Sequence, residues 1–297
     1  MSKTLPPKGG AKLYRMSEVE YHRDPFSKRV PALSSSTAKL LVDECPAYVA
    51  HHLQRLGGEE KPPSTEMEEG TVGHCLISGN EPPVRVVNFL DFKTKAAREQ
   101  RDDARRLGLV PMVPHRYAEL QQAAKVIRKR ILAFGYPINK GRTEQVIAWW
   151  EEADDGTPVL CRGMLDKLWL GVLGAEIADF KKIRSANPVV IQRHLREYGY
   201  DIQQAAYTSA VTKLRPELAG RVNFTFLFFC PDPPYLVTPC KPSGSIQELG
   251  EMRWRRAVNT WAKCLKTKKW PGYTETFIQP EAPVWAMNQE WEREMAE

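Results

Sequence analysis

Long apolar segments and paired cysteines are both missing from this sequence of 297 residues. No run of apolar residues approaches the roughly 18–20 that a membrane-spanning helix needs. The basic residues near the N-terminus are not followed by the apolar stretch of a secretory signal. We therefore expect a cytoplasmic protein without membrane contact. The six cysteines stand singly, with no C-x-x-C pair, which argues against a disulfide framework, a zinc knuckle or a clustered iron–sulfur site.

The sequence does have enough apolar residues for a core, together with an uneven distribution of charge. Apolar residues make up 42% of the chain and include eight tryptophans, which predicts a folded protein rather than a disordered one. The formal net charge is +7, yet residues 93–142 alone carry thirteen Lys and Arg against four Asp and Glu, so the remainder is slightly acidic. Such a segment can neutralise the phosphates of a nucleic acid. The alternative is a solvated helical face with an excess of Lys and Arg.

Apolar periodicity separates a helical first half from a second half that begins with strands. Spacings near 3.6 predict helices up to residue 134, whereas the alternation after Glu144 has a period of two and continues through an Asp-Gly turn. The predicted helices cover about 38–53, 66–77, 93–106, 115–134, 188–214 with a break near Gly199, and 246–265; the predicted strands cover 144–152, 157–170, 175–182, 221–230 and 235–238. This order predicts an α/β fold with a mixed central sheet flanked by helices and preceded by a helical, basic section.

Composition predicts a single domain, residues 32–280, between two tails. Residues 1–31 are rich in Pro, Gly and Lys and show little periodicity, which predicts a flexible basic tail. The remaining parts are a helical, basic part (32–142), a sheet core (143–240), a closing helix (241–280) and an acidic tail (281–297).

Three ionisable residues on neighbouring predicted strands form the most informative pattern. Asp166 lies late in the second strand, and Asp179 and Lys181 lie on one face of the third, about 6.5–7 Å apart at their Cα atoms. A carboxylate among apolar neighbours is costly to bury unless a positive charge holds it. A hard divalent cation such as Mg²⁺ takes oxygen ligands and keeps waters for a substrate phosphate, so it accounts for two such carboxylates. The alternative is structural ion pairing of the two aspartates with Lys167, Lys181 or Lys182.

The pattern Asp166…Asp179-Phe180-Lys181 resembles the signature of PD-(D/E)xK nucleases, and its surroundings resemble the exonuclease VIII (RecE-type) branch common in phages and prophages. Further segments extend the resemblance over residues 34–275: SSSTAKLLVDECPAYVAHHL at 34–53, a G-T-x-x-H helix at 68–79 that contains His74, a charged helix at 92–108, the Q-x-x-x-Y element from Gln203 to Tyr207, and WPGY at 270–273. The Asp…Asp-x-Lys core is moderately specific by itself, and its coincidence with the other two motifs is strong. The resemblance implies a restriction-endonuclease-like core and nuclease activity.

The resemblance also implies roles for individual residues. The metal, Mg²⁺ or Mn²⁺, would be held by Asp166, Asp179, the carbonyl of Phe180, Glu144 and His74. Lys181 would orient or deprotonate the attacking water, and Gln203 and Tyr207, one helical turn apart, would support the site. We expect DNA contacts from Ser36, Thr71, Arg98, Arg101, Arg105, Arg162, Lys182 and Arg184.

Ordinary structural roles are the alternatives for several of these residues. For His74 the alternative is a satisfied core histidine, and for Glu144 it is a residue at a strand edge. Gln203 and Tyr207 also fit an amphipathic helix that packs on the sheet. The family usually has a threonine directly after the lysine, whereas a second lysine follows Lys181 here, which removes a hydroxyl contact to phosphate.

The implied activity is metal-dependent hydrolysis of linear double-stranded DNA from its ends, 5′→3′, which leaves 3′ single-stranded tails for an annealing protein in recombination. Similar enzymes often form homo-oligomeric rings, and the implied setting is a bacterial or phage-infected cell. Two alternatives remain open: a DNA-binding module that has lost hydrolysis, and an endonuclease or single-strand nuclease. Nucleases with an iron–sulfur cluster need clustered cysteines, and Cys230, Cys240 and Cys264 are too widely spaced.

Overall fold

The computed structural model describes residues 4–59 and 64–296, which fold around a mixed β-sheet. In chain order the elements are β1 (Ala11–Tyr14), α1 (Glu18–His22), α2 (Ser35–Asp43), α3 (Pro46–His52), α4 (Thr65–Ser78), β2 (Val84–Val86), α5 (Lys95–Arg106), β3 (Val110–Met112), α6 (Pro114–Ala133), β4 (Arg142–Glu152), β5 (Pro158–Leu170), β6 (Ala175–Lys182), α7 (Pro188–Glu197), α8 (Tyr200–Leu214), β7 (Val222–Phe229), β8 (Val237–Cys240), α9 (Gly244–Thr267) and α10 (Val284–Glu294). Within these ranges no helix combines the length and the apolar character that crossing a bilayer requires.

Six strands form the main sheet in the order β1-β4-β5-β6-β7-β8, and β2 pairs with β3 separately. β6 and β7 run parallel, and the other neighbours in the main sheet run antiparallel. Parallel neighbours need a long crossover, and α7 and α8 provide it here. The predicted α/β fold with a mixed sheet flanked by helices is confirmed.

Alternating side chains of β6 and β7 fill a core on each face of the sheet. Ile177 and Phe226 belong to the cluster that includes buried residues of α8 and α9. Phe180 and Leu227 belong to the opposite cluster, with Ile127 of α6. Because strand side chains alternate between faces, Asp179 and Lys181 share the α8 side with Ile177.

The N-terminal segment differs from the flexible tail that the sequence predicted. β1 pairs antiparallel with β4, and Tyr14, Tyr21 and Phe26 are buried in a small core against the outer part of the sheet. Elements of four and five residues are too short to show a period, and β1 depends on a partner strand far along the chain. Residues 1–3 of the predicted tail lie outside the described residues.

Two further boundaries differ from the prediction, and a third agrees with it. The helix predicted at 38–53 is divided before Pro46, because proline favours extended backbone at the residue before it, and Cys45 has φ −144° and ψ 163°. The predicted acidic tail contains α10, none of whose residues is buried; residue 297 lies outside the described part. The predicted break at Gly199 separates α7 from α8, where its φ of +67° favours glycine.

Candidate active site

β5 and β6 part at the two predicted aspartates. Their antiparallel ladder ends with Lys167 opposite Ala178, and the next pair in this register would be Asp166 with Asp179. Beyond that point β6 continues beside β7 and β5 beside β4. Two carboxylates therefore lie where the sheet opens, an arrangement that is unfavourable unless positive charge compensates it.

Asp166 is held from two sides. Its Oδ2 accepts a hydrogen bond of 2.7 Å from the backbone N–H of Phe180 and lies 3.5 Å from Nδ1 of His74 on α4. Burial alone would raise the pKa of Asp166, but His74 and then Lys181 hold it below the ordinary value. Burial alone would likewise lower the pKa of His74, and the neighbouring Asp166 raises it overall. Each group thus favours the charged form of the other.

Asp179 carries a buried oxygen that accepts no hydrogen bond. Its Oδ1 accepts a bond of 2.7 Å from Nε2 of Gln203 on α8. Its Oδ2 lies 2.5 Å from Nζ of Lys181, yet accepts a hydrogen bond from no group in the described residues. Burial raises the pKa of Asp179 to about 6, because the lowering effect of Lys181 is opposed by the nearby Asp166. The buried Asp179 carboxylate thus has Lys181 as a close cationic neighbour, while the nearby Asp166 adds a second negative charge to the site.

Lys181 extends from β6 between the carboxylates and an aromatic ring. Its Nζ lies 4.8 Å from the centre of the Tyr200 ring. Burial alone would lower the pKa of Lys181, but the charges of Asp179 and Asp166 raise it above the ordinary value. The ammonium form is thus favoured at this position.

Glu144 lies beside Asp166 with an unusual backbone. The residues on either side of Glu144 pair with those on either side of Asp166, which leaves the two acidic residues opposite each other. The φ of Glu144 is +47°, a conformation that costs a non-glycine residue of the order of 1–3 kcal/mol. Its Oε1 accepts a bond of 3.2 Å from the thiol of Cys75. Strained backbone clusters at active sites, so this conformation supports the prediction that Glu144 belongs to the site.

Seven of the predicted residues converge on one cavity of about 640 Å³. They come from five different elements, α4, β4, β5, β6 and α8. Among the residues that line the cavity are Thr71, His74, Glu144, Asp166, Asp179, Lys181 and Gln203. Carboxylates, an imidazole, an amine and an amide thus share one space.

Tyr207 and Ser36 line an adjoining cavity of about 320 Å³ instead. Tyr207 is buried, and this burial raises the pKa of its hydroxyl above the ordinary value. Ser36 is exposed near the start of α2. The two residues of the Q-x-x-x-Y element therefore differ in position, since Gln203 contacts Asp179 and Tyr207 lies deeper.

Most of the expected DNA-contacting cations are already paired. Arg105 donates to both oxygens of Glu68 at 2.6 and 2.8 Å. Arg101 donates to Asp102, and Nζ of Lys182 lies 3.5 Å from Glu69. Arg98 and Arg184 are exposed. The basic segment is therefore a less open cationic surface than its composition suggests.

Arg162 belongs to the core rather than to a DNA-binding surface. Its side chain is 9% exposed, its guanidinium lies 4.5 Å from the centre of the Tyr21 ring, and its Nε lies 3.8 Å from Asp24. It also donates to the carbonyl of Tyr21. The expectation of a DNA contact at Arg162 is corrected, because these contacts hold the N-terminal segment against β5 and leave no accessible guanidinium.

The sequence reasoning missed Glu18 and His22 of α1, which also line this cavity. Oγ1 of Thr71 lies 3.4 Å from Oε1 of Glu18, to which it donates, and Glu18 lies 3.7 Å from Nε2 of His22. The available signal was the S-x-x-E pattern that begins at Ser17, whose side chain accepts from the backbone N–H of Glu20. That signal lay in a segment assigned as a tail.

The donor set fits a hard divalent cation that keeps open coordination positions. Among the described residues, buried Oδ2 of Asp179 has Nζ of Lys181 2.5 Å away but no donor in regular hydrogen-bond geometry, and Asp166 and Glu144 place further carboxylates on the same cavity. In the parts of the chain that the structure describes, no group of three or more His, Cys, Asp or Glu side chains is arranged to hold a metal ion, so the protein would supply fewer than three such ligands. Mg²⁺ commonly binds through one or two carboxylates and completes its shell with water and substrate phosphate.

Comparisons with known proteins place this geometry in a family. A search of curated proteins finds no significant match. A solved structure from Eubacterium rectale, described as a "Putative exonuclease", aligns with a TM-score of 0.56 and 12% identity over 92% of this chain and 98% of that chain. Another, described as SSO0001, has a TM-score of 0.36 and 9% identity over 84% and 82% of the two chains. The first likeness shows a common fold. Residues 34–277 match a family described as a PDDEXK-like domain of unknown function (DUF3799), and the chain therefore belongs to that family.

Proposed function

We propose that this protein is a metal-dependent DNA exonuclease that degrades linear double-stranded DNA 5′→3′ and leaves 3′ single-stranded tails for recombination. The observation that carries the proposal is the cavity shared by Asp166, Asp179 and Lys181. The PDDEXK-like family supports a nuclease, and the description of the Eubacterium rectale structure supports exonuclease action. The duplex substrate, the direction and the recombination role rest on the resemblance to the RecE-type branch.

Asp166 and Asp179 would hold the divalent cation, with Glu144 on the same cavity and the carbonyl of Phe180 as a further ligand. When bound, Mg²⁺ or Mn²⁺ would polarise the phosphate and lower the pKa of a water molecule.

The chain's own side chains orient the carboxylates and balance charge. In the hydrolysis, the water oxygen bonds to phosphorus, the P–O3′ bond breaks, and a proton ends on the departing 3′-oxygen. Lys181 supplies positive charge beside the phosphate as its negative charge grows. Gln203 fixes Asp179 through Oδ1, and His74 fixes Asp166 through Oδ2. These contacts keep both carboxylates aimed at one point before substrate arrives.

Digestion of end-labelled DNA tests the proposal. With Mg²⁺, we expect a 5′ label on linear duplex to be released early, a 3′ label to persist on single strands, and closed circular plasmid to stay intact. EDTA should stop degradation. Cleavage of the closed plasmid would instead indicate an endonuclease. Retained DNA binding with no degradation of any substrate would indicate a binding module.

Variants of the site link that activity to the cavity. Asp179→Ala and Lys181→Ala are each expected to lower the rate at least about 10²–10³-fold, the usual cost of losing one preorganised electrostatic group. Glu176→Gln is the matched control on the same strand, since Glu176 contacts Thr225 outside the cavity. Circular dichroism should show that all three variants fold. Degradation by folded Asp179→Ala at the wild-type rate would overturn the proposal.

A further inference from the structure

A second cavity adjoins the one that holds Asp166 and Asp179. It has a volume of about 320 Å³, near the lower end of the range of about 300–1,000 Å³ for small-ligand pockets. The two cavities share the lining residues His22, Met164, Lys181, Tyr200 and Gln203. The two cavities therefore lie side by side at Lys181, and the proposed chemistry uses only the first of them.

The second cavity is rich in aromatic rings. Tyr21 and His22 of α1 line it on one side, and Tyr198 and Tyr200 line it at the junction of α7 and α8. The rings of Tyr198 and Tyr200 are stacked, with centroids 5.8 Å apart and planes inclined by 22°. Tyr198 is nevertheless 53% exposed. A large exposed ring is thus held next to a ring that touches Lys181.

The tyrosine pair is fixed by its surroundings. The Tyr200 ring packs against Phe226 and Phe228, with centroids 5.5 and 5.9 Å away. Gly199 between the tyrosines has a φ of +67°, and a β-carbon there would lie 2.8 Å from Cγ of Lys39. Only glycine allows α2 to approach so closely at this backbone conformation. The aromatic surface is therefore preformed.

The same cavity also has polar lining residues. Ser35, Ser36 and Lys39, from the first part of α2, line the same cavity. Hydroxyl and ammonium groups suit the sugar–phosphate backbone of a nucleic acid, whereas an aromatic face suits its bases. A cavity that combines both kinds of lining residue, beside Lys181, matches a single nucleic-acid strand.

We propose that the second cavity is a nucleobase-binding subsite, in which the unpaired base next to the scissile phosphate stacks on Tyr198. The sugar–phosphate backbone of that DNA strand then runs along Ser36 and Lys39. This inference rests on the proposed function. It specifies that the DNA enters the active site as a strand end whose terminal base is unpaired. Stacking accepts every base, so the subsite holds the strand without selecting a sequence.

Binding of short single-stranded DNA in EDTA tests the subsite without hydrolysis. Wild-type protein is expected to bind an intact fluorescent oligonucleotide more tightly than oligonucleotides with an abasic nucleotide, at one register near the end. Tyr198→Ala is expected to weaken binding of the intact strand about 5- to 150-fold, the range for loss of one stacked base. It should leave binding of the abasic strand unchanged. Tyr198→Phe keeps the ring and should bind within about twofold of wild type.

Phe134→Ala is the matched control, because Phe134 is an exposed aromatic residue, at 54%, that lines neither cavity. Equal binding of intact and abasic strands by the wild type would overturn the subsite, even if Tyr198→Ala fails to fold. The subsite would also be overturned if folded Tyr198→Ala lost affinity for the intact and the abasic strand to the same extent. This test is independent of the test of nuclease activity. Asp179→Ala is assayed for hydrolysis, whereas the assay in EDTA measures base binding alone.

Discussion

The ring of Tyr207 lies against the backbone of Gly163, so closely that a β-carbon at Gly163 would stand 2.5 Å from Cε1 of the tyrosine. Gly163 precedes Asp166 by three residues on β5, and Tyr207 follows Gln203 by one helical turn on α8. The contact therefore fixes how α8 packs against the sheet next to the site. Tyr207 contributes through packing. Because this packing positions α8, Gln203 on the same helix can donate to Asp179.

Gly163→Ala is expected to disturb both the fold and the site. The added methyl group must displace Tyr207, and overpacking of a dense core typically costs about 1–3 kcal/mol. Urea unfolding should show a loss in this range, with a lower hydrolysis rate in the folded protein. Gly244→Ala is the matched control, because a β-carbon at Gly244 would meet no atom within 4 Å. If the two variants unfold at the same urea concentration, the packing account is wrong.

Gln203→Ala is expected to lower kcat for duplex degradation about 10- to 100-fold, the usual effect of removing a group that orients a metal ligand. The reason is that Oδ1 of Asp179 loses its bond of 2.7 Å and the carboxylate is no longer held. Gln247→Ala serves as the control, since Gln247 lies on α9 and its Nε2 donates to the carbonyl of Pro242 just before that helix. Steady-state kinetics that place the change in KM alone would contradict a positioning role.

Local patterns were sufficient for much of this architecture. The alternation of side chains gave β6 its observed bounds, Ala175–Lys182, and the charged residues within it placed Asp179 and Lys181 on one face. The resemblance to known nucleases added His74 and Gln203, which lie on helices distant in sequence from β6. Their meeting depends on strand order and on the crossover through α8, which spacing along one element does not specify.

The remaining features depend on contacts between distant segments. Arg162 occupies a strand position that looks suitable for DNA, but its partners Tyr21 and Asp24 come from the N-terminal segment. Glu18 and His22 reach the cavity only because β1 joins the sheet edge. No pattern within a short window reports such pairings, so residues of the first segment were assigned to a tail.

Arg253→Ala is expected to destabilise the fold by about 3–5 kcal/mol, the range for removing one partner of a buried ion pair. Nη1 of Arg253 on α9 donates to both oxygens of Asp201 at 2.8 and 2.7 Å, and its Nη2 contacts Asp43 of α2. Asp201 is fully buried and would keep an uncompensated charge. Urea unfolding provides the measurement. Arg255→Ala, which removes an exposed pair with Asp154, should cost less than about 1 kcal/mol.

Acid is expected to weaken the link between α4 and α6. Arg116 donates to both oxygens of Glu69 at 2.7 and 2.9 Å and holds the pKa of Glu69 below its ordinary value of 4.5. The unfolded chain therefore takes up this proton at a higher pH than the native protein does. The pair contributes its full stability above pH 4.5 and loses it as the pH falls through the lower native pKa.

Glu69→Gln tests that sign. The variant should be less stable than wild type at pH 7, and its free energy of unfolding should fall less between pH 7 and the acid range. Glu119→Gln is the control, because Glu119 contacts the same Arg116 but its side chain is 59% exposed. A steeper acid loss in Glu69→Gln than in wild type would contradict the assignment.

Divalent cations are expected to stabilise the folded protein through Asp166 and Asp179. An ion that binds only the native state at 100 times its Kd adds about 2.7 kcal/mol, which a thermal scan detects as a higher Tm. Mg²⁺ or Mn²⁺ should therefore raise the Tm of wild type relative to NaCl of equal ionic strength. Asp179→Asn and Asp166→Asn should lose most of that increase, whereas Glu176→Gln on the same strand as Asp179 should keep it. The measurement needs no DNA and no turnover. An equal increase in all four proteins would place the ion elsewhere, and no increase in wild type would remove the metal site from the proposal.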